Sequence, residues 1–154
     1  MSFSENAWKV FNHSIEDYHI TDDVDASDKN FYENGSLERL LYAKNWIDTV
    51  QWHLEDIIRD ENICPNEALK LKRRIDASNQ QRTDLVEFID SWFLQKYGNI
   101  FPKLNAKINT ETPAWAVDRL SILALKIYHM TLEAHRENAS DEHRAKCQEK
   151  LNVL

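Results

Sequence analysis

The sequence predicts an all-α protein, an antiparallel helical bundle of about five helices with short connections. The 154 residues include only two glycines and three prolines, whereas all-β folds and α/β nucleotide-binding folds need many glycine turns. Apolar residues recur at intervals of three and four through several long segments. The rare glycines and prolines lie between those segments, where they suit helix ends.

Residues suited to helix ends bound the first three predicted helices. The first helix covers about residues 4 to 18, and an acidic, aperiodic loop follows over residues 21 to 35. Ser36 is an N-cap for a second helix, which runs to Asp60. Pro65 opens a third helix that continues to about Tyr97, and we expect Gly98 to stop it in the left-handed conformation.

The fourth and fifth helices complete a single domain over residues 1–154. Thr112 and Pro113 start the fourth helix, which is predicted to run to about Glu137. Apolar residues nearly encircle that helix, so we expect it to be the central and most buried one. Ser140 or Asp141 opens the last helix, which continues to the end of the chain.

Composition and charge argue against several classes of function. The net charge is −7, whereas a nucleic-acid-binding surface needs clustered Lys and Arg. No apolar run follows the first residues and none is long enough to cross a membrane, so we expect no membrane partner. Cys64 and Cys147 are far apart and lack Cys-x-x-Cys spacing. A cytoplasmic protein with reduced thiols is therefore predicted.

The third helix carries a charge where its stripe should be apolar. Apolar residues recur before and after its middle, and the same spacing places Ser78 and Arg82 on the core seam. A buried guanidinium needs an acidic partner or a ligand. The candidate partners are Glu55 and Asp56 on the second helix and Asp118 on the fourth. This seam is the best sequence pointer to a site.

The second helix carries a polar stripe opposite its apolar face. The stripe consists of Asn45, Thr49, His53, Asp56 and Asp60. One interpretation is a metal site built from His53, Asp56 and Asp60 with a carboxylate from another helix. The other is a solvated face held by pairs within the helix. The stripe lacks the His-Glu-x-x-His and Glu-x-x-His spacings of well-known metal sites.

The predicted site is a charged pocket where the second, third and fourth helices meet. It would bind a small anionic metabolite, with Arg82, Arg119 and Lys126 as the anion partners. A purely structural role for the same groups remains open. The candidate ligand-binding residues are His53, Glu55, Asp56, Arg59, Lys72, Asp76, Asn79, Arg82, Asp118, Arg119, Lys126 and His129.

Two further function classes stay open, and so does the question whether the protein is an enzyme. One is Mg²⁺-dependent hydrolysis of a nucleotide or phosphate substrate of the all-helical type, with Glu55, Asp56 and Asp60 holding Mg²⁺. The other is a non-enzymatic, oligomeric interaction module whose polar stripes only set helix register. A homo-oligomer, most simply a homodimer, is expected. No catalytic residue is assigned.

Three blocks of the sequence resemble a bacterial family of uncharacterised, all-helical proteins. They begin at Trp52 (Trp-His-Leu-Glu-Asp), at Lys72 (Lys-Arg-Arg-Ile-Asp) and at Asn109 (Asn-Thr-Glu-Thr-Pro, followed by Asp-Arg-Leu-Ser-Ile-Leu and Lys-Ile-Tyr-His-Met). The resemblance covers about residues 30 to 154 and implies an all-helical fold but no activity. It also implies that relatives continue past the equivalent of Leu154 with another helical segment and a tail. A site completed by that tail would be absent here.

Overall fold

The computed structural model describes residues 2–154, and it confirms the all-α fold class with five helices in that range. They are α1 (Phe3–Thr21), α2 (Leu37–Ile57), α3 (Pro65–Tyr97), α4 (Pro113–Ala134) and α5 (Asp141–Val153). Helix α2 packs against α1, α3 and α4, whereas α5 packs against α4. Within the described residues, none of the helices is long and apolar enough to cross a membrane.

Side-chain caps open the first two helices, and the cap of the second, Ser36, is the one that the sequence predicts. Helix α1 begins with a capping box, in which the Ser2 hydroxyl accepts the Glu5 amide at 3.3 Å and the Glu5 carboxylate accepts the Ser2 amide at 2.7 Å. At the start of α2, the Ser36 hydroxyl accepts the Arg39 amide at 3.2 Å. Each cap satisfies an amide that the first helical turn leaves without a backbone partner.

Helix α1 continues past Tyr18, where the sequence prediction ended, and reaches Thr21. Asp22 then ends the helix in the left-handed region at φ 48°, and its amide donates to the Tyr18 carbonyl at 2.9 Å. Aspartate enters this region more readily than most residues. The extension places His19 in the last turn, four residues after the buried Ile15.

The ends of three other helices differ from the prediction. Gly98 follows α3 with φ −59°, which is right-handed, because its amide still donates to the Leu94 carbonyl at 2.8 Å. Helix α2 ends at Ile57 rather than Asp60, because tighter turn hydrogen bonds replace the helical pattern there. Helix α4 ends at Ala134, three residues before the predicted end, with the same kind of tightening.

The most buried helix is α2, which corrects the expectation for α4. Ten residues of α2 are buried, compared with five of α4. The physical reason is that α1, α3 and α4 all pack against α2. Part of the polar stripe is covered as well, since Asn45 donates to the Ser121 hydroxyl of α4 at 3.0 Å. Asn45 and Thr49 of that stripe are fully buried, whereas Asp56 and Asp60 at its far end are exposed.

A network of buried charges joins α2, α3 and α4. Lys44 and Asp48 are one turn apart on α2 and almost fully buried, and the Lys44 ammonium lies 2.5 Å from Asp48 and 2.7 Å from Asp118. Arg82 Nε donates to the other oxygen of Asp48 at 2.6 Å, and Arg82 Nη2 lies 3.6 Å from Asp118. The Ser121 hydroxyl donates to Asp48 at 2.6 Å. Two cations thus face two carboxylates.

A layer of amides continues this polar seam between α2 and α3. The Ser78 hydroxyl donates to Gln51 Oε1 at 2.9 Å, and Gln51 Nε2 donates to Asn79 Oδ1 at 2.7 Å. Arg82 Nη1 donates to the same Asn79 oxygen at 3.3 Å. The seam that the sequence places at Ser78 and Arg82 is therefore real, and both side chains donate to acceptors of the protein itself.

We predict that Asp48→Asn destabilises the protein by about 3 kcal/mol, because it leaves the buried ammonium of Lys44 and the Arg82 guanidinium with a single shared carboxylate. Urea unfolding followed by circular dichroism measures the change. The matched control is Asp76→Asn, which removes the carboxylate of an exposed pair with Lys72 and should cost less than about 1 kcal/mol. Equal losses in the two variants would contradict the prediction.

Candidate functional site

The structure divides the twelve predicted ligand-binding residues among several places. Arg82, Asp118 and Asn79 belong to the polar seam described above, in which Arg82 and Asp118 are partly buried and Asn79 is exposed. Lys72 and Asp76 form an exposed pair one turn apart on α3. Arg119 makes a two-pronged contact with Glu111, with Nη2 2.7 Å from Oε2. The remaining residues lie along the carboxyl-terminal half of α2, in the turn that follows it, and on α4.

A small cleft of about 190 Å³ brings four of the twelve together beside the seam. Glu55, Asp56, Arg59 and Arg82 line it, together with Asp48. Arg59 already contacts Asp56 at 3.0 Å, and Arg82 contacts Asp48. Three carboxylates therefore face two guanidinium groups that already have acidic partners. This balance is unfavourable for an anionic ligand.

The three carboxylates considered for Mg²⁺ do not converge in the structure. Asp56 pairs with Arg59, and Asp60 accepts the Asn62 amide at 2.9 Å in the turn after α2. Glu55 lines the small cleft. Among residues 2–154, the metal-ligand group that does form is a different one and contains three histidines.

His19 of α1, His53 of α2 and His129 of α4 form this histidine cluster. One ring nitrogen from each lies within 4.8 Å of those of the other two. His53 Nε2 is 3.2 Å from His19 Nε2. His19 Nδ1 lies 2.7 Å from the Ile15 carbonyl, which can only accept a hydrogen bond. Nδ1 of His19 therefore carries the proton, and its Nε2 directs a lone pair into the cluster.

Aromatic rings hold the three imidazoles in place. Tyr18 stacks on His53 with a centroid distance of 4.9 Å, and Trp52 stacks on His129 at 4.8 Å with the rings 3° from parallel. Tyr128 lies against His19 with a centroid distance of 4.4 Å. Such contacts restrict rotation of the rings, so the nitrogens face one another in a defined arrangement.

The surroundings of His53 and His129 favour their neutral imidazoles. Burial lowers the pKa of His129 to about 4, and the adjacent His53 and His19 act in the same direction. Burial and His19 also lower the pKa of His53. His129 Nε2 is buried and has no hydrogen-bond partner within the described residues. Asp22 is the nearest carboxylate to His53, with Oδ1 3.9 Å from Nε2.

A cavity of about 790 Å³ lies between α2, α4 and α5 and includes His129 in its wall. Its apolar lining consists of Trp52, Met130, Leu132, Val153 and Leu154, and its charged lining of Asp56, Lys126, Glu133, Glu149 and Lys150. Three predicted site residues, Asp56, Lys126 and His129, thus meet here. Asp56 and Glu133 have cationic partners in Arg59 and Arg136. Lys126 and Lys150 form no ion pair with any described residue.

Sequence reasoning missed Lys44, Asp48 and His19. Lys44 and Asp48 are spaced by four on α2, the spacing at which an ion pair forms within a helix. His19 continues the α1 stripe by four after Ile15, but the predicted helix ended one residue before it. Both signals were present in the sequence. Such spacings indicate a site only when it is known which faces of α1 and α2 pack against other helices.

Comparison with known proteins identifies a family but no activity. Residues 38–154 match a family described as a protein of unknown function, DUF4254, and because this match covers most of the chain, the protein belongs to that family. Membership of a family of unknown function, expected from the three sequence blocks, is thereby confirmed. No curated protein and no solved structure matches the chain. The match includes His53 and His129, whereas His19 precedes it.

We predict that the metal-free protein loses stability as the pH falls from about 7 to about 5. The folded-state pKa of His129, about 4, lies below its value of about 6.5 in the unfolded chain. The unfolded chain therefore binds more protons in this interval, and the loss from His129 alone is about 2 kcal/mol. Urea unfolding at a series of pH values measures it.

His129→Phe keeps the stacking on Trp52 and removes the titrating group, so stability should depend less on pH in this variant. His135→Phe, at an exposed position just after α4, is the matched control and should retain the wild-type dependence. An unchanged dependence in His129→Phe would show that the acid sensitivity arises from other groups.

Proposed function

We propose that this member of the DUF4254 family binds a small amphipathic organic anion in the cavity between α2, α4 and α5. The observation that carries the proposal is the cavity itself, with its volume of about 790 Å³ and its mixed lining. Sites for small organic ligands typically enclose about 300–1,000 Å³ and combine apolar walls with a few polar groups.

The apolar walls would receive the body of the ligand. Leu132 and Val153 are both more than half exposed, although they face a concave surface. Trp52 offers the same wall an aromatic ring, fixed in orientation by its stacking on His129. Covering such surface is favourable by about 25 cal/mol per Å². A ligand with an aromatic or aliphatic body would therefore gain most of its affinity here.

The charged rim favours an anionic group on that ligand. Asp56 and Glu133 are neutralised by Arg59 and Arg136. Lys126 and Lys150 form no ion pair with the described residues and can therefore bind an anionic group. Among the carboxylate side chains of the lining, Glu149 alone has no ion-pair partner in residues 2–154, so two free positive charges face one free negative charge. Of the three anion partners that the sequence predicts for a small anionic metabolite, Lys126 is the one that remains in this proposal. Arg82 and Arg119 do not serve it, because each already contacts a carboxylate.

The test uses anilinonaphthalene sulfonate, an amphipathic fluorescent anion, and its neutral analogue that lacks the sulfonate. We expect saturable binding of the anion. Lys126→Ala should weaken it about tenfold, because the variant removes one of the two cavity lysines that form no ion pair in the described part of the chain. Binding of the neutral analogue should not change. Fluorescence titration measures both affinities. Lys9→Ala, which removes an exposed lysine of α1 outside the cavity lining, is the control.

The proposal fails if the anion and its neutral analogue bind equally well to the wild type and to Lys126→Ala. The same result for Lys126→Ala and Lys9→Ala would likewise place the bound anion outside this cavity. Raising the salt concentration gives a second readout, since it should weaken the anion and leave the neutral probe unaffected.

We also propose that the protein forms a homodimer through the segment between α3 and α4. Its apolar side chains are more than half exposed, and they are Ile100, Phe101, Leu104 and Ile108. Contiguous exposed apolar surface is typical of interaction sites. Residues 91 to 110 contain three lysines and no acidic residue, whereas the whole chain has a net charge of −7. Charge complementarity therefore favours a second copy as the partner.

Leu104→Asp should shift the protein from dimer to monomer, because it places a charge in the proposed apolar interface. Sedimentation equilibrium over a range of concentrations measures the association. Leu69→Asp, at a half-exposed position of α3 outside the segment, is the matched control and should remain dimeric. A wild-type protein that stays monomeric at high concentration would contradict the proposal.

A cytoplasmic location is proposed on the state of the cysteines. Cys64 is exposed and Cys147 is buried, and both are free thiols. Free thiols of this kind persist in a reducing compartment.

A further inference from the structure

We propose that His19, His53 and His129 form a binding site for one divalent transition metal ion, for which zinc is the reference ion. The proposal goes beyond the binding of an organic anion, which requires no metal. It assigns a role to three side chains that come from three different helices, the first and last of which are more than one hundred residues apart in the sequence. Five observations support it.

The spacing of the nitrogens suits a small tetrahedral ion. Zinc binds imidazole nitrogen at about 2.0–2.1 Å, which places two such ligands about 3.3 Å apart at tetrahedral angles. His19 Nε2 and His53 Nε2 are 3.2 Å apart. The third nitrogen lies within 4.8 Å of both. Binding would draw it inward by no more than about 1.5 Å, a distance that small rotations of the ring can supply.

His19 is already held in the form that a metal requires. Its Nδ1–H donates to the Ile15 carbonyl at 2.7 Å, which orients the ring and leaves the Nε2 lone pair facing the cluster. Metal-binding histidines almost always have such a partner on the other ring nitrogen. In the metal-free protein His53 Nε2–H donates to His19. Metal binding replaces that hydrogen bond, and the His53 proton moves to Nδ1.

His129 provides an unsatisfied group at the same place. Its Nε2 is buried and lacks a hydrogen-bond partner among the described residues, although a buried polar atom is usually paired. One ring nitrogen of His129 also belongs to the cluster, so a bound ion would give this ring a partner.

Asp22 supplies negative charge beside the cluster. Its carboxylate lies 3.9 Å from His53 Nε2 and is largely exposed, so it can rotate toward a bound cation. The left-handed backbone at Asp22 ends α1 three residues after His19. A tetrahedral ion bound by three imidazoles has one further coordination position, which Asp22, water or a ligand can fill.

The donor set indicates which ions fit. Three imidazoles suit zinc, nickel, copper or iron, whereas Mg²⁺ and Ca²⁺ prefer sets of oxygen ligands. The proposal therefore differs from the Mg²⁺ site considered from the sequence at Glu55, Asp56 and Asp60. His53 was part of a metal hypothesis on the sequence alone, and the structure supplies histidine partners from α1 and α4 in place of carboxylates on α2.

The experiment titrates the full-length protein, first stripped with a chelator, with Zn²⁺ in a calorimeter and with Co²⁺ in a spectrophotometer. We expect one equivalent of Zn²⁺ to bind and to raise the melting temperature. Co²⁺ should give the intense visible bands of a four-coordinate site with nitrogen ligands. His19→Gln, His53→Gln and His129→Gln should each weaken Zn²⁺ binding at least about tenfold while circular dichroism shows an intact fold.

Two control variants separate this site from adventitious binding. His143 lies 2.8 Å from Glu133 and 3.4 Å from the Cys147 sulfur, which is the other place where a soft cation could settle. His143→Gln should leave the affinity and the Co²⁺ spectrum unchanged. His13→Gln, on α1 but outside the cluster, should also behave as the wild type. Asp22→Asn, which keeps size and tolerates the left-handed backbone, should weaken binding several-fold.

The proposal is overturned if stripped wild-type protein binds neither Zn²⁺ nor Co²⁺ stoichiometrically, or if His19→Gln and His53→Gln bind as tightly as the wild type. Loss of binding in His143→Gln alone would assign the ion to Cys147 and Glu133 instead. Equal affinity in Asp22→Asn would remove Asp22 from the site. These outcomes are independent of anion binding in the cavity, because Lys126→Ala leaves all three histidines in place.

Discussion

The buried charge network between α2, α3 and α4 is the constraint on which the rest of the bundle depends. Lys44 and Asp48 are removed from water, so each must find its partner inside the protein. Arg82 and Asp118 supply those partners from two other helices. Removing one of these groups would leave a buried charge without its partner, which is costly. The network therefore connects three helices through direct contacts between charged side chains.

The histidine cluster and the large cavity include residues of the same helices that this network connects. His53 follows Asp48 by five residues on α2, and His129 follows Asp118 by eleven on α4, so both are carried by helices that the ion pairs connect. At 1.5 Å per residue they lie about 7 Å and about 16 Å along their helices from the network. Trp52 and His129 then stack between the cluster and the cavity. His129 therefore belongs to both proposed sites, and Trp52 packs against it from the side of the cavity.

The seam at Arg82 shows how far sequence periodicity reaches. The stripe of α3 predicts that Arg82 faces other helices, and it does. Of the proposed partners, Asp118 contacts Arg82, whereas Glu55 and Asp56 line the same small cleft and form no ion pair with Arg82 within the described residues. Asp48 was not considered, since its place on α2 becomes a core position only after α3 and α4 have packed against that helix.

The sequence alone determined the five helices and where most of them begin, because helical periodicity, capping and the positions of Gly and Pro act within a few residues. It also indicated that charge enters the core. Only the tertiary structure decided which charges meet and that His19 joins His53 and His129. Those contacts depend on the rotation and crossing of whole helices, which result from the packing of the entire core and from no local segment of it.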